Sequence, residues 1–198
     1  MSPLDKGYYT ESELAQLGFA AYGADVKISR NCAIIGAKNV RIGSHVRIDD
    51  YVVISAASGS LALGSYIHIA AGAYLGCAGG ITLADFSGIS HGAKIYSASD
   101  DYSGATLTNP TVPKKCLNVD VAPVLLGRHT IVGAGSIVLP GVILSEGTAV
   151  GAMTLIKRGF KTDDWAVYFG APARKVADRS KALLAAEAAL VAEERQMP

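Results

Sequence analysis

Between Val124 and Gly159 the chain repeats itself every six residues, as VLLGRH, TIVGAG, SIVLPG, VILSEG, TAVGAM and TLIKRG. The third place of each hexad is aliphatic (Leu126, Val132, Val138, Leu144, Val150, Ile156), and Gly, Ala, Ser or Pro gathers at places four to six. Apolar residues three and four apart form no sustained stripe, so the pattern is not that of an amphipathic helix. A beat of six suits a short strand with an inward aliphatic, followed by a corner that only small residues allow. Three such sides close a triangular prism, eighteen residues to a coil, with coils about 4.8 Å apart. Leu126 is then predicted to stack on Leu144, Val132 on Val150 and Val138 on Ile156. A sandwich of short strands has no reason to keep a fixed beat. The same beat runs upstream through VRIGSH, VRIDDY, LALGSY, IHIAAG, ITLADF, SGISHG and AKIYSA. It assigns Ile42, Ile48, Ile54, Leu63, Ile69, Leu75, Leu83, Ile89 and Ile95 to one core, with bulging corners at 57–60 and 77–80. The predicted fold class is an all-β solenoid, a parallel β-helix over residues 26–159.

The departures from the beat define the remaining parts. Residues 1–25 form an N-terminal cap, in which Thr10 and Glu13 make a capping box for a short helix ending at Gly18. Solenoids need such caps, because a terminal coil otherwise offers a flat edge to other chains. At Ser97 the beat breaks, and a polar segment to about residue 120 interrupts the solenoid. A loop that long inside a compact repeat domain is usually functional. Residues 160–198 form a C-terminal extension that leaves the repeat through Gly170 and Pro172. It closes with a helix from Ser180 to Arg195, whose Leu184, Ala188 and Val191 share a stripe, laid along the prism or on a neighbouring subunit.

Composition narrows the classes of partner. Of 198 residues half are apolar, ample for one core, and the formal charge of +1 offers no electrostatic partner. Beyond Lys114/Lys115 and Lys157/Arg158 there is no basic cluster, which argues against nucleic acid. Cys32, Cys77 and Cys116 are scattered, without the close pairs of a zinc site, and read as thiols of a reducing compartment. No apolar run reaches membrane length and no leader pattern opens the chain, so the expected location is the cytoplasm.

Hexads, an extruded loop in mid-solenoid, the late TAVGAMTLIKRG and then YFGAPARKV together resemble the hexapeptide-repeat acyltransferases. Within them the chain is similar to the sugar O-acetyltransferase branch that includes galactoside, maltose and surface-polysaccharide acetyltransferases. The resemblance implies a left-handed β-helix, a homotrimer with active sites between subunits, and acetyl-CoA as acyl donor. It carries the pantetheine contacts onto Ala134 and Ala152, fifth places of hexads eighteen apart. There, small side chains let a linear cofactor lie against backbone N–H groups. It carries the nucleotide-phosphate contacts onto Lys157, Arg158 and Arg174, where cations suit the chemistry.

On the acceptor side the chain departs from the family, whose members carry a catalytic histidine on the extruded loop. Here no histidine lies between Gly92 and Arg128, and alignment of AKIYSASD puts Asp100 at that place, with Asp101 and Tyr102 beside it toward the acceptor. An aspartate at its ordinary pKa of about 3.9 is a poor base toward a hydroxyl. If the loop adds no side to the prism, His91 occupies the same corner as Ala134 and Ala152, one coil beyond the acyl end. If LNVDVA forms an extra side, His91 moves to another face. His91 and Asp100 are therefore both candidate bases, while His45, His68 and His129 read as surface residues. The leading expectation is O-acylation of a sugar or glycan in polysaccharide biosynthesis. The alternative is N-acylation of a nucleotide-linked amino sugar, because an amine needs less help from a base. A γ-type carbonic anhydrase shares this solenoid, but His45, His68 and His91 fall at different hexad places and would not converge on zinc. A non-catalytic scaffold remains as a further class.

Overall fold

The computed structural model describes residues 5–194. Its body is a left-handed parallel β-helix of about seven turns, against the usual right-handed preference for crossovers. Three faces recur in strict rotation. The first carries strands from Ala21–Tyr22 through Leu61–Leu63 to Ile143–Leu144, and the second runs from Val26–Ile28 through Gly88–Ile89 to Ala166–Phe169. The third runs from Ala33–Ile35 through Tyr74–Gly76 and Lys94–Tyr96 to Leu155–Ile156. Leu126 is in register with Leu144, Val132 with Val150 and Val138 with Ile156, as the eighteen-residue coil requires.

Every aliphatic assigned to a third place is buried. The first place contributes as well, since Val40, Val46, Leu61, Ile67, Ile81 and Val124 are buried beside them. On the first and second faces each three-residue strand thus turns its first and third side chains inward and its second outward, whereas on the third face the middle residue, as in Val53–Ser55, Tyr74–Gly76 and Lys94–Tyr96, points inward. The insertions at 57–60 and 77–80 share one edge of the prism, between the third and first faces, and the long segment after Ser97 leaves from the same edge.

The edge between the first and second faces is held by a ladder of rings. His45, Tyr66, Phe86, His129 and Trp165 each take a left-handed conformation, φ +51° to +59°, at the last place of their hexads. Such a conformation costs a non-glycine residue about 1–2 kcal/mol. Here successive centroids lie 4.7, 4.6, 5.2 and 5.8 Å apart, and aromatic pairs of this kind return about 0.5–1.5 kcal/mol beyond their buried area. His129 is accordingly buried, contrary to its assignment to the surface. Its ring is a rung of the ladder, sandwiched between Phe86 and Trp165.

Two helices close the solid. Helix α1, Glu11–Leu14, is shorter than its predicted span because the chain tightens into turns after Leu14; its capping box is formed, and Leu14 plugs the open end of the core. Helix α2, Leu183–Glu194, buries no side chain. It is held by carboxylates rather than by its apolar stripe. Glu187 accepts from His129 Nε2 at 2.8 Å and pairs with Arg128, while Glu194 pairs with Tyr66 and lies 3.8 Å from His45. The two glutamates are two helical turns apart, about 10.5 Å, which matches two rungs of the ladder at about 9.6 Å. Arg195, the expected last residue of this helix, lies outside the described residues. Among the described residues no helix is long and apolar enough to cross a membrane.

The capping box generates a pH prediction. The Arg30 guanidinium, then the Thr10 N–H and hydroxyl, hold the Glu13 carboxyl down at about 2 against an ordinary 4.5. A depressed folded value stabilises above the unfolded one, so Glu13's contribution is complete above about 4.5 and is lost as pH falls through 2. Thermal melts from pH 6 downward should show the wild type losing an increment of Tm that Glu13→Gln lacks. The two curves should close on each other toward pH 2.

Candidate active site

The edge between the second and third faces is a straight column of turns. In several coils it is a tight turn closed by an i to i+3 hydrogen bond, from Ala93 N–H to Ser90 C=O at 3.2 Å and from Ser136 N–H to Gly133 C=O at 3.2 Å. Gly92, Gly135 and Met153 at the third turn position have φ of +64°, +67° and +56°. That is the pattern of a type II turn, in which the second residue's N–H points outward. The second residues are Asp50, Ala71, His91, Ala134 and Ala152, tied rung to rung by bonds such as Gly92 N–H to Ala71 C=O and Gly135 N–H to His91 C=O, both at 3.0 Å, and Met153 N–H to Ala134 C=O at 2.8 Å. The insertion adds no side to the prism, so His91 stands in one column with Ala134 and Ala152. Among the described residues none accepts a hydrogen bond from the N–H of His91, Ala134 or Ala152. The column is a row of free donors about 4.8 Å apart, with methyl groups in place of side chains that would block it.

The inserted segment has a rigid root. Ser97 is buried; its Oγ donates to Gly76 C=O at 2.6 Å and accepts from Gly79 N–H at 2.9 Å. From there the two legs zip as a short antiparallel stem, Ala98 opposite Val121 and Ser99 opposite Asp120. A Cβ on Gly79 would come within 2.5 Å of Ser97 C=O and 2.9 Å of Ala122 C=O, so only glycine lets both legs pass. Asp100 is the first residue beyond the last stem pair. The next residue, Asp101, is occupied within the loop: its carboxylate accepts from Ser103 N–H at 2.8 Å and Thr106 Oγ1 at 3.0 Å, and the Ser103 side chain, then the Ser103 N–H and the Thr106 hydroxyl, hold it below the usual carboxylate range. Tyr102 is almost wholly exposed.

Stem, loop and third face enclose a cavity of about 700 Å³, lined by Asp100, Tyr102, Tyr74, Tyr96 and the outward aliphatics Ile137, Leu139 and Leu155. This is the size and composition of a small-molecule site: apolar walls and a few polar groups. The Tyr74 and Tyr96 rings lie 5.3 Å apart. Burial, then the neighbouring Tyr74 and Tyr102, raise the Tyr96 phenol above its usual value, so it keeps its proton.

The three cations divide. Lys157 and Arg174 line one hollow of about 300 Å³ with Phe160 and Pro172, a geometry open to an anionic group. Arg158 instead gives Nε and Nη2 to the Asp120 carboxylate, the latter at 2.6 Å. His91 and Asp100 also divide, standing at opposite edges of the third face, and His91 does not line the cavity around Asp100. The sequence reading passed over Ser90, which holds the first position of the His91 turn, where Gly133 and Gly151 occupy the later coils. It also passed over Tyr74 and Tyr96. The available signal was two tyrosines at outward places of the two coils that precede the break.

No family model matches the chain. A dTDP-4-amino-4,6-dideoxy-D-glucose acyltransferase of Escherichia coli is 41% identical over 180 residues, covering 91% of this chain and 93% of that one. The crystal structure of AntD, an N-acyltransferase from Bacillus cereus, in complex with dTDP and 3-hydroxybutyryl-CoA superposes with a TM-score of 0.91 at 38% identity, over 96% of this chain and 100% of that one. Further crystal structures of AntD carry substitutions at a serine or at an aspartate ten positions further along; one serine variant holds dTDP-4-amino-4,6-dideoxyglucose and coenzyme A (TM-score 0.90, 38% identity, 95% and 98% coverage).

The rooted stem is open to a direct check. Ser97→Ala leaves Gly79 N–H without its partner, while Gly76 C=O keeps only the Ser97 N–H at 2.9 Å, which should cost about 1–3 kcal/mol. Limited proteolysis should cut faster within residues 101–119, while denaturant melts still report a folded solenoid.

Proposed function

The chain belongs to the hexapeptide-repeat acyltransferases, and from that premise we propose that it moves an acyl group from acyl-CoA to the amino nitrogen of a dTDP-linked 4-amino-4,6-dideoxy sugar. The O-acylation of a glycan expected from the sequence gives way to its N-acyl alternative. The observation that carries this is Asp100, fixed at the end of a rigid stem on the wall of the large cavity, where the O-acetyltransferase branch has a histidine. Ser90 and Asp100 are also the only serine and aspartate of this sequence with the spacing of the two positions substituted in AntD.

The chemistry suits a carboxylate. A sugar amine is a good nucleophile once it has lost one proton, so an aspartate that takes or relays that proton suffices, whereas a hydroxyl calls for a stronger base. The amine nitrogen attacks the thioester carbonyl carbon, the C–S bond breaks, and the thiolate of CoA takes up a proton as it leaves. The free N–H groups at His91 and Ala134 supply donors for the oxyanion of the tetrahedral intermediate. On this reading the acyl donor runs along the Ala152, Ala134, His91 column, with its phosphates toward Lys157 and Arg174. The donor group is written as acyl rather than acetyl, since AntD holds 3-hydroxybutyryl-CoA.

Asp100 and the alanine column lie on opposite edges of one face. A homotrimer, in which the stem of one chain meets the column of the next, brings them together, and sedimentation should report three chains. A monomer at micromolar concentration would contradict that arrangement.

The substrate reading is tested with acyl-CoA and a pair of dTDP sugars that differ only in bearing an amine or a hydroxyl at carbon 4. Acylation of the amine alone is expected; equal acylation of the hydroxyl sugar would overturn the proposal. Asp100→Asn should lower turnover about 10²- to 10⁴-fold with acyl-CoA affinity little changed, whereas His91→Asn should cost about tenfold or less, as loss of a neighbouring side chain and not of the base. Ala152→Trp should abolish acyl-CoA binding in calorimetry while the protein stays folded.

A further inference from the structure

The guanidinium of Arg158 stands at the edge between the third and first faces, on the last coil, and the inserted stem rises from the same edge two coils below. Its Nε and Nη2 engage both oxygens of Asp120. Asp120 is paired across the stem with Ser99, and Asp100 is the next residue. The stem therefore has two anchors. Ser97 pins its root to the preceding coils at Gly76 and Gly79, and Arg158 ties its outer end to a following one. Between them runs the strand Ala98–Ser99, which leads directly into Asp100.

We propose that Arg158 is a positioning residue for Asp100, acting through Asp120 and the stem, rather than a ligand of the cofactor's phosphates. This rests on the reading of Asp100 as the group that takes the amine proton. Geometry favours the assignment. A fork-to-fork pair uses the two adjacent donors of the guanidinium that a phosphate would otherwise claim. Lys157 and Arg174 already converge on a separate hollow without it. The Asp120 carboxyl is held below the usual carboxylate range and the Arg158 guanidinium is raised, each by the other, so the clamp is charged on both sides throughout the neutral range. Arg158 is exposed and Asp120 partly so, and a pair near the surface adds little to global stability. Its effect is local: it fixes where the carboxylate beyond Ser99 points, and misplacing a catalytic group by about 1 Å can cost on the order of a hundredfold in rate.

Steady-state kinetics with acyl-CoA, acyl-dephospho-CoA and the amino sugar separate the roles. Arg158→Gln and Asp120→Asn are each expected to lower kcat about five- to fiftyfold, with KM for acyl-CoA and the preference for acyl-CoA over its dephospho form unchanged. The charge-reversed pair, Arg158→Asp with Asp120→Arg, should restore kcat to within about threefold of wild type because the two sites are coupled, and Arg158→Lys should fall between. The proposal is overturned if Arg158→Gln raises the KM for acyl-CoA and erases the preference over the dephospho form while Asp120→Asn does not, since Arg158 is then a phosphate ligand. It is equally overturned if both single variants run at the wild-type rate while Asp100→Asn is inactive. Failure of the underlying reading looks different: Asp100→Asn itself would turn over normally.

Discussion

A chain that must turn every six residues depends on a corner that few residues can make. Each coil asks for left-handed backbone at its corners, and the three edges of the prism meet that demand in different ways. Between the first and second faces most of the left-handed residues are aromatic, and their rings stack to recover what the backbone conformation costs. Between the second and third faces most are glycines, and the turn leaves a free N–H at His91, Ala134 and Ala152. At the third edge the chain is let out into bulges and into the long insertion. One constraint, repeated, thus yields a stacked edge, an edge of free donors and an edge for insertions.

The division explains why chemistry can sit on so regular a body. A periodic frame converts sequence position into height, so a single break in a column is a landmark. His91 is such a break, the one ring in a column that continues upward as Ala134 and Ala152. The stem is another, a short antiparallel ladder growing from a parallel solid. Its root is fixed by a buried serine hydroxyl and by a glycine whose lack of a side chain lets two chain segments pass. Helix α2 obeys the same frame, since the spacing of Glu187 and Glu194 fits the rungs on which they lie.

The solenoid was legible because its signal is local and redundant: a third-place aliphatic recurs in every coil, and an error at one hexad is corrected by the next. The His91, Ala134 and Ala152 column was legible for the same reason, once the insertion added no side. Features that depend on one contact were not. His129 looked like a surface residue because nothing in its hexad reveals the rings above and below it. The apolar stripe of α2 pointed to hydrophobic docking, whereas carboxylates hold the helix. Arg158 looked like its neighbour Lys157 in sequence, yet only the fold brings Asp120 to it. The separation of His91 from Asp100 by the width of a face follows from which edge each occupies, a property of rotation about the axis that a linear reading hides.

A column of donors with a fixed rise is also a ruler. The height between the turn at His91 and the hollow at Lys157 and Arg174 comes in whole coils, so it can change only in steps of about 4.8 Å. On the proposed path of the acyl donor, a cofactor of fixed length would therefore dictate how many coils lie between those two points. Coils on the far side of His91, toward the N-terminal cap, are under no such dictation. The molecule can lengthen or shorten there, and with it the span offered to whatever approaches from that end, without disturbing the measured half.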